Sequence, residues 1–108
     1  MLDGLWILKI QPPPVSSGGV VVFINGKIFG GDNGFTWVGT YTVIDRLLKG
    51  SVHVHNFDTD IQSVLGVPGD YDMHISGNVL GDTITGTAMI ANQPQHSLAI
   101  RLDKRANL

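Results

Sequence analysis

The chain has 108 residues, of which 43% are hydrophobic and 15% charged, and its formal net charge is −2. This size and apolar content predict one folded domain and exclude a disordered chain. Basic residues cluster only near the C-terminus, at Arg101, Lys104 and Arg105, which argues against direct binding of DNA or RNA phosphates. Because the sequence contains no cysteine, disulfides, thiol nucleophiles and thiolate metal sites are excluded.

The sequence also predicts where the protein acts. Residues 1–9 have neither a basic start nor a long apolar stretch, so we expect no signal peptide. No apolar run approaches the roughly 20 residues that a membrane-spanning helix requires. We therefore expect a soluble, cytoplasmic protein.

Short apolar runs with two-residue alternation recur along the chain and are separated by glycine-containing turns. The clearest pair is 19–24 and 27–31, joined by Asn25-Gly26. This dipeptide is the strongest short-range signal for a hairpin, because a type I′ turn requires positive φ at both central positions. In chain order, the pattern predicts strands at 4–10, 19–24, 27–31, 35–43, 51–57, 71–76, 82–90 and 97–102.

The segments between these strands carry loop and turn signals. Prolines at 12–14 predict an extended loop, since proline cannot donate a hydrogen bond to a sheet. Residues 44–49 have a faint helical pattern, and Gly50 after them is typical of the residue that ends a helix. Further irregular segments or turns are predicted at 58–70, 77–78 and 92–95, and a frayed tail at 103–108.

Eight short strands with mostly tight connections predict an all-β fold, an eight-stranded antiparallel up-and-down β-barrel. Closing the sheet removes the exposed edges that an open sheet of this size would have to protect. The interior of such a barrel is either filled by side chains or wide enough for one small apolar ligand such as a fatty acid. The side chains that would line a pocket are Trp6, Phe29, Trp37, Tyr41 and Met73.

The segment His53-Val54-His55 is the sharpest local pattern. Alternate residues of a strand share a face, so both imidazoles can bind one zinc ion if a neighbouring strand supplies a third ligand. The alternative is that both histidines face solvent and Val54 faces the core. We favour the second interpretation and predict no metal, although a third ligand would be available from Asp58, Asp60, Asp72 or His74.

No pattern in the sequence indicates catalysis. Carboxylates occur in pairs at Asp58 and Asp60 and at Asp70 and Asp72, where turns begin and strands end, which is typical of solvated acids. The chain contains no nucleophile elbow, phosphate-binding loop, dinucleotide fingerprint or His-Glu-x-x-His. We therefore expect neither an enzyme nor a cofactor.

Several short segments, in this order and spacing, carry a resemblance to a bacterial family over roughly residues 3 to 90. They are Asp3-Gly4, Asn25-Gly26, Gly30-Gly31-Asp32, Trp37-Val38-Gly39, His53-Val-His-Asn-Phe57, Ser63-Val-Leu-Gly66 and Gly69-Asp-Tyr71. The chain resembles the GrlR-like family, negative regulators of type III secretion gene expression in attaching-and-effacing enterobacteria. The resemblance implies a lipocalin-like eight-stranded barrel with an apolar cavity, a homodimer and no catalysis.

The resemblance further implies that the protein binds and sequesters a transcriptional activator. The family uses a surface acidic run just before the His-x-His strand for this contact. In this chain the corresponding residues, 43–50, contain one acidic and two basic side chains, so the contact mode differs. The candidate partner-binding residues are Asp45, Arg46, Leu47, Leu48 and Lys49, where the two leucines either form an exposed apolar patch or cap the barrel. The alternative function is a carrier or sensor of a small apolar ligand.

Overall fold

The computed structural model describes residues 2–11, 18–61, 63, 67 and 69–108. The proline loop expected at 12–14 lies outside these residues, as do residues 64–66 of the resemblance. No helix in the described ranges has the length and apolarity to cross a membrane. The strands are β1 (Gly4–Gln11), β2 (Gly18–Ile24), β3 (Lys27–Gly31), β4 (Phe35–Ile44), β5 (Leu47–Asn56), β6 (Tyr71–Leu80), β7 (Thr83–Ile90) and β8 (Gln93–Asn107).

The eight strands form a closed antiparallel up-and-down barrel, which confirms the predicted fold class. Each strand pairs with the next along the chain, and β8 pairs with β1 to complete the ring. Alternation explains this architecture, since one face of every strand is apolar and points inward while the other contacts solvent. Side chains from all eight strands therefore share one core, including Trp6, Phe23, Ile28, Val54, Met73, Ile84, Ile90 and Ile100.

The first hairpin has the predicted turn. Asn25 and Gly26 connect β2 to β3 with φ values of 49° and 77°. The carbonyl of Gly26 also accepts a hydrogen bond of 2.9 Å from the amide of Tyr41 on β4. This combination of positive φ values is the one that glycine and asparagine adopt at least cost.

The helical interpretation of residues 44–49 was wrong. Ile44 ends β4, Leu47 begins β5, and these two residues pair across the hairpin. Asp45 and Arg46 form the turn, with φ values of 51° and 68°. The extended pairing places Leu48 on the inner face of β5, so burial in the barrel overrides the weak helical pattern.

Two other predicted turns differ from the structure: one lies inside a strand, and only Asn92 of the other belongs to a turn. Residues 77–78 lie inside β6, where Gly77 pairs with Gly86 of β7. A Cβ atom on Gly86 would collide with the carbonyl oxygen of Ser76. The Gly77–Gly86 pair therefore allows β6 and β7 to pack closely and does not form a turn. The actual turn follows at Gly81, whose φ is 61°.

The segment predicted as a turn at 92–95 is mostly strand. β8 already begins at Gln93, which pairs with Ile90, but the next pair joins Met89 to Ser97. Pro94 lies within this irregularity, where a strand residue needs no amide for the ladder. The bulge explains why a proline stands near the start of a paired strand.

The C-terminal tail is not frayed. β8 continues to Asn107, which pairs with Gly4, and Ala106 pairs with Leu5. These residues are ordered because β1 has no other partner on that side, and an unpaired edge would break the barrel. The tail is therefore part of the ring.

Candidate functional site

The two ends of the barrel differ. We call the loop end the one at which β1–β2, β3–β4, β5–β6 and β7–β8 are connected. We call the turn end the one with the tight β2–β3, β4–β5 and β6–β7 turns. The long β5–β6 connection lies at the loop end.

Aromatic side chains close the turn end. The rings of Trp6 and Phe23 meet edge to face with centroids 5.7 Å apart, and those of Phe23 and Tyr41 with centroids 5.0 Å apart. Edge-to-face packing is a favoured arrangement of aromatic rings. The indole nitrogen of Trp6 donates a hydrogen bond of 2.8 Å to the carbonyl of Leu2. This aromatic plug seals the barrel below the cavity.

An apolar cavity of about 180 Å³ lies between the plug and the loop end. Its floor is formed by the lining residues that stand nearest the turn end along their strands, which are Phe23, Ile28, Leu48, Ile84 and Leu102. The remaining walls come from alternate residues of every strand and from the β5–β6 connection, including Leu8, Ile10, Val52, Val54, Ile61, Met73, Ala88 and Ile100.

The predicted pocket residues divide into three groups. Trp37 and Met73 line the cavity. Trp6 and Tyr41 belong to the aromatic plug and do not border the cavity. Phe29 was assigned to the wrong face: Ile28 is the inward residue of β3, and Phe29 is 43% exposed on the outside.

A pair of hydroxyl groups marks the loop end of the cavity. The hydroxyls of Ser63 and Tyr71 are 2.7 Å apart, and both residues line the cavity. Burial raises the pKa of Tyr71 above its usual value, and the carboxylate of Asp32 adds to this rise. Alternation along β6 places Tyr71 on the same face as Met73, but no pattern in the sequence pairs Tyr71 with Ser63.

The β3–β4 turn and the start of the β5–β6 connection form one packed unit beside the cavity. Asp32 Oδ1 accepts hydrogen bonds from the amides of Gly34 and Phe35, at 2.9 and 3.0 Å. Phe57 donates a 3.0 Å hydrogen bond to the carbonyl of Gly34. A Cβ atom on Gly34 would lie 2.8 Å from Ile61, so glycine allows Ile61 to pack directly on the turn.

His53 and His55 lie on the outer face of β5 and pair with two carboxylates, one within β6 and one just before it. The Nδ1 atom of His53 is 2.8 Å from Asp72, and that of His55 is 2.9 Å from Asp70. The hydrogen bond to Asp72 raises the pKa of His53. The hydrogen bond from His55 lowers the pKa of Asp70, which also accepts the amide of Asn56.

These pairs decide between the two interpretations of the His-x-His segment. Both rings face solvent, and the Nδ1 atom of each is engaged by an aspartate. Among the residues that the structure describes, no group of three or more histidine and aspartate side chains is arranged to hold a metal ion. Asp58 caps the amide of Asp60 within its turn. The outward histidines and the buried Val54 agree with the interpretation that the sequence favours.

The β4–β5 hairpin projects its tip at the turn end. Ile44 is 71% exposed and Leu47 39% exposed, whereas Leu48 is only 1% exposed. Leu48 was therefore wrongly included among the residues available to a partner. The carbonyl of Arg46 accepts a 2.8 Å hydrogen bond from the amide of Val79, which ties the tip to β6. We call Ile44, Asp45, Arg46 and Leu47 the hairpin tip.

A second exposed apolar surface lies on the outside of the barrel. Phe29 pairs with Val22 on one side and with Val38 on the other, so apolar side chains continue across β2, β3 and β4. Val20, Phe29 and Val38 are all exposed. We call these three residues the outer apolar face.

These features define the class of protein: a closed eight-stranded antiparallel β-barrel with an apolar cavity, sealed at its turn end by aromatic rings. A comparison of the chain with models of known protein families gives no match, and a comparison with curated proteins gives none either.

Proposed function

We propose that this protein is a non-enzymatic, cytoplasmic regulator of the GrlR-like type, which binds and sequesters a transcriptional activator. The closed barrel supports the proposal because it is the fold that the sequence resemblance implies. The observation that carries the proposal is the hairpin tip. It combines exposed apolar side chains with an unfavourable backbone.

The hairpin tip has a costly conformation. Arg46 has a φ of 68°, in a region where residues other than glycine and asparagine are disfavoured. Such strain costs on the order of 1–3 kcal/mol and clusters at binding sites. Two adjacent charged residues, Asp45 and Arg46, stand in this turn beside the exposed Ile44, and this combination suits a contact surface for another protein.

The composition of the tip suits a protein interface. Ile44 and Leu47 provide an apolar centre, and Asp45, Arg46 and the outward Lys49 provide a charged rim, as in typical interfaces. Binding of the activator here would cover its DNA-binding or dimerising surface. This contact mode replaces the acidic run of the family with a mixed-charge hairpin.

The experiment is an affinity capture from the lysate of the source cell, with the bound proteins identified by mass spectrometry. We expect recovery of a helix-turn-helix activator by the wild-type protein and at least a tenfold loss with Leu47→Ser. Met89→Ser is the matched control, because Met89 is 38% exposed and Leu47 is 39% exposed. Equal recovery of the activator by both variants would show that the hairpin tip does not bind it.

The outer apolar face supports the homodimer that the resemblance implies. A contiguous apolar surface on a small domain is commonly covered by another protein surface. We propose that two copies pack through Val20, Phe29 and Val38. Light scattering at micromolar concentration should give the mass of a dimer, and Phe29→Lys should give a monomer with an unchanged circular dichroism spectrum. A monomeric wild-type protein would contradict the dimer.

A second candidate function is binding of a small apolar ligand inside the barrel. The cavity of about 180 Å³ carries this candidate, because a well-packed core of this size has few voids larger than a water molecule. Both functions are compatible in one molecule, since the cavity is internal and the hairpin tip is external.

A further inference from the structure

We infer that the cavity takes a small uncharged molecule, a single ring or short alkyl group with one hydroxyl, whose hydroxyl joins the Tyr71–Ser63 pair. This inference rests on the second candidate function, binding of a ligand inside the barrel. It follows from the size of the cavity, from the charges around it and from the position of its polar groups.

The size of the cavity limits the ligand. A protein cavity of roughly 150 Å³ lined by leucine, isoleucine and phenylalanine stays dry and binds benzene. The present cavity of about 180 Å³ therefore accommodates one ring with a short substituent. This volume is too small to enclose a long-chain fatty acid completely, and the aromatic plug prevents such a chain from extending through the turn end.

The charges around the cavity exclude an anion. Among the described residues that line it, none is lysine, arginine or histidine, and the one carboxylate belongs to Asp32. A ligand carboxylate would lose its hydration without gaining a positive partner and would lie near a like charge, which is costly. Two backbone amides that donate to Oδ1 already stabilise the charge of Asp32, and an ammonium group in the otherwise apolar cavity would still lose its hydration.

The polar groups define how the ligand is oriented. Ser63 and Tyr71 lie at the loop end, and their hydroxyls are 2.7 Å apart, whereas the floor of the cavity is entirely apolar. The Tyr71 hydroxyl can both donate and accept a hydrogen bond, so it can bind Ser63 and the hydroxyl of the ligand at the same time. The ring of the ligand would then lie against Met73 and Ala88.

Four molecules of matched shape test this inference: para-ethylphenol, ethylbenzene, para-ethylbenzoate and para-ethylbenzylamine. Calorimetry gives the affinity of each for the full chain. The two tryptophans give two indole N–H signals by NMR, and only that of Trp37, which lines the cavity, should shift on binding. We expect para-ethylphenol to bind at least tenfold more tightly than para-ethylbenzoate and para-ethylbenzylamine.

Two tyrosine variants measure the contribution of the Tyr71 hydroxyl to ligand binding. Tyr71→Phe should weaken the binding of para-ethylphenol about tenfold and leave the binding of ethylbenzene unchanged. The variant loses one hydrogen bond to the ligand and keeps the apolar wall of the cavity. Tyr41→Phe is the matched control, since Tyr41 belongs to the aromatic plug, and it should alter neither affinity. Ala88→Leu should abolish binding of all four molecules by filling the cavity, provided that the circular dichroism spectrum is unchanged.

The outcomes separate the inference from the function on which it rests. If none of the four molecules binds, the second candidate function and this inference both fail. If ethylbenzene binds as tightly as para-ethylphenol, if a charged analogue binds best, or if Tyr71→Phe has no selective effect, the cavity binds ligands but the inferred ligand class is wrong.

Discussion

At the scale of single residues, His53 and Asp72 form an exposed pair that joins β5 to β6. The hydrogen bond to Asp72 raises the pKa of His53 above its ordinary value of 6.5. The pair therefore stabilises the fold fully below the unfolded pKa, and this contribution is lost as pH rises through the folded value. For Asp70 the pKa falls below 3.8, so its contribution is present above that value and is lost as pH falls through the folded value. Both contributions are small because the groups are exposed.

The titration of His53 gives a direct prediction. In the folded protein its imidazole should titrate above 6.5, and Asp72→Asn should move the midpoint back towards that value, because the principal hydrogen-bond acceptor for the charged ring is lost. NMR of the ring protons measures both. The same ring in the urea-unfolded chain is the reference, and a folded midpoint equal to the unfolded one would contradict the pairing.

Single residues also show where sequence reasoning was sufficient and where it failed. The outward position of His53 follows from alternation with Val54, and alternation likewise places Tyr71 and Met73 on one face. The carboxylate partners of the histidines lie at the start of β6 and just before it, and only the register of β5 against β6 brings them together. Phe29 was misplaced because β3 is short and carries a large apolar residue on each face, Ile28 inside and Phe29 outside. Only Lys27, on the same face as Phe29, indicates which face is outside.

At the scale of elements, two hairpins use the same turn geometry with different residues. Asn25-Gly26 was recognised because both residues readily adopt positive φ. Asp45-Arg46 was missed because arginine is uncommon in this conformation, and the apolar residues around it resemble a helical pattern. The pairing of Ile44 with Leu47 determines the turn, and no local signal reveals that pairing.

The strained turn leads to a prediction with two readouts. Arg46→Gly should raise the free energy of unfolding by about 1 kcal/mol, because glycine adopts the φ of 68° without strain. The same variant should recover less activator in the affinity capture. Thermal denaturation measures the first effect.

Gly26→Arg is the reciprocal control for this prediction, because it places arginine in the unstrained hairpin. It should lower stability by a similar amount and leave the recovery of activator unchanged. An Arg46→Gly variant that is no more stable than the wild type would show that the tip carries no strain.

At the scale of the whole molecule, the barrel depends on the pairing of its first and last strands. The order of the strands was predictable because each strand has its own alternation and most have a tight turn after them. The contribution of residues 103–107 to barrel closure was not predictable. Their pattern is polar, and their partner β1 lies almost the full chain length away in the sequence. Local sequence patterns therefore do not predict how the barrel closes.

Removal of residues 103–108 tests the importance of closure. The truncated chain loses the pairs of β1 with Asp103, Lys104, Ala106 and Asn107, and it exposes an edge strand that can pair with another copy. We expect a loss of several kcal/mol of stability or self-association, measured by urea unfolding and light scattering. Removal of Leu108 alone is the control. A truncated chain as stable as the whole protein would show that the last residues do not close the ring.

Leu47 and Leu48 are consecutive residues that face opposite ways. Leu47 belongs to the exposed hairpin tip, and Leu48 forms part of the cavity floor. A molecule in the cavity and a protein on the tip would thus touch two sides of a single peptide unit. Any energetic coupling between them would be reciprocal, so a ligand that weakened the protein contact tenfold would itself be bound tenfold less tightly in the complex. Such coupling would let the concentration of a small molecule set the amount of free activator.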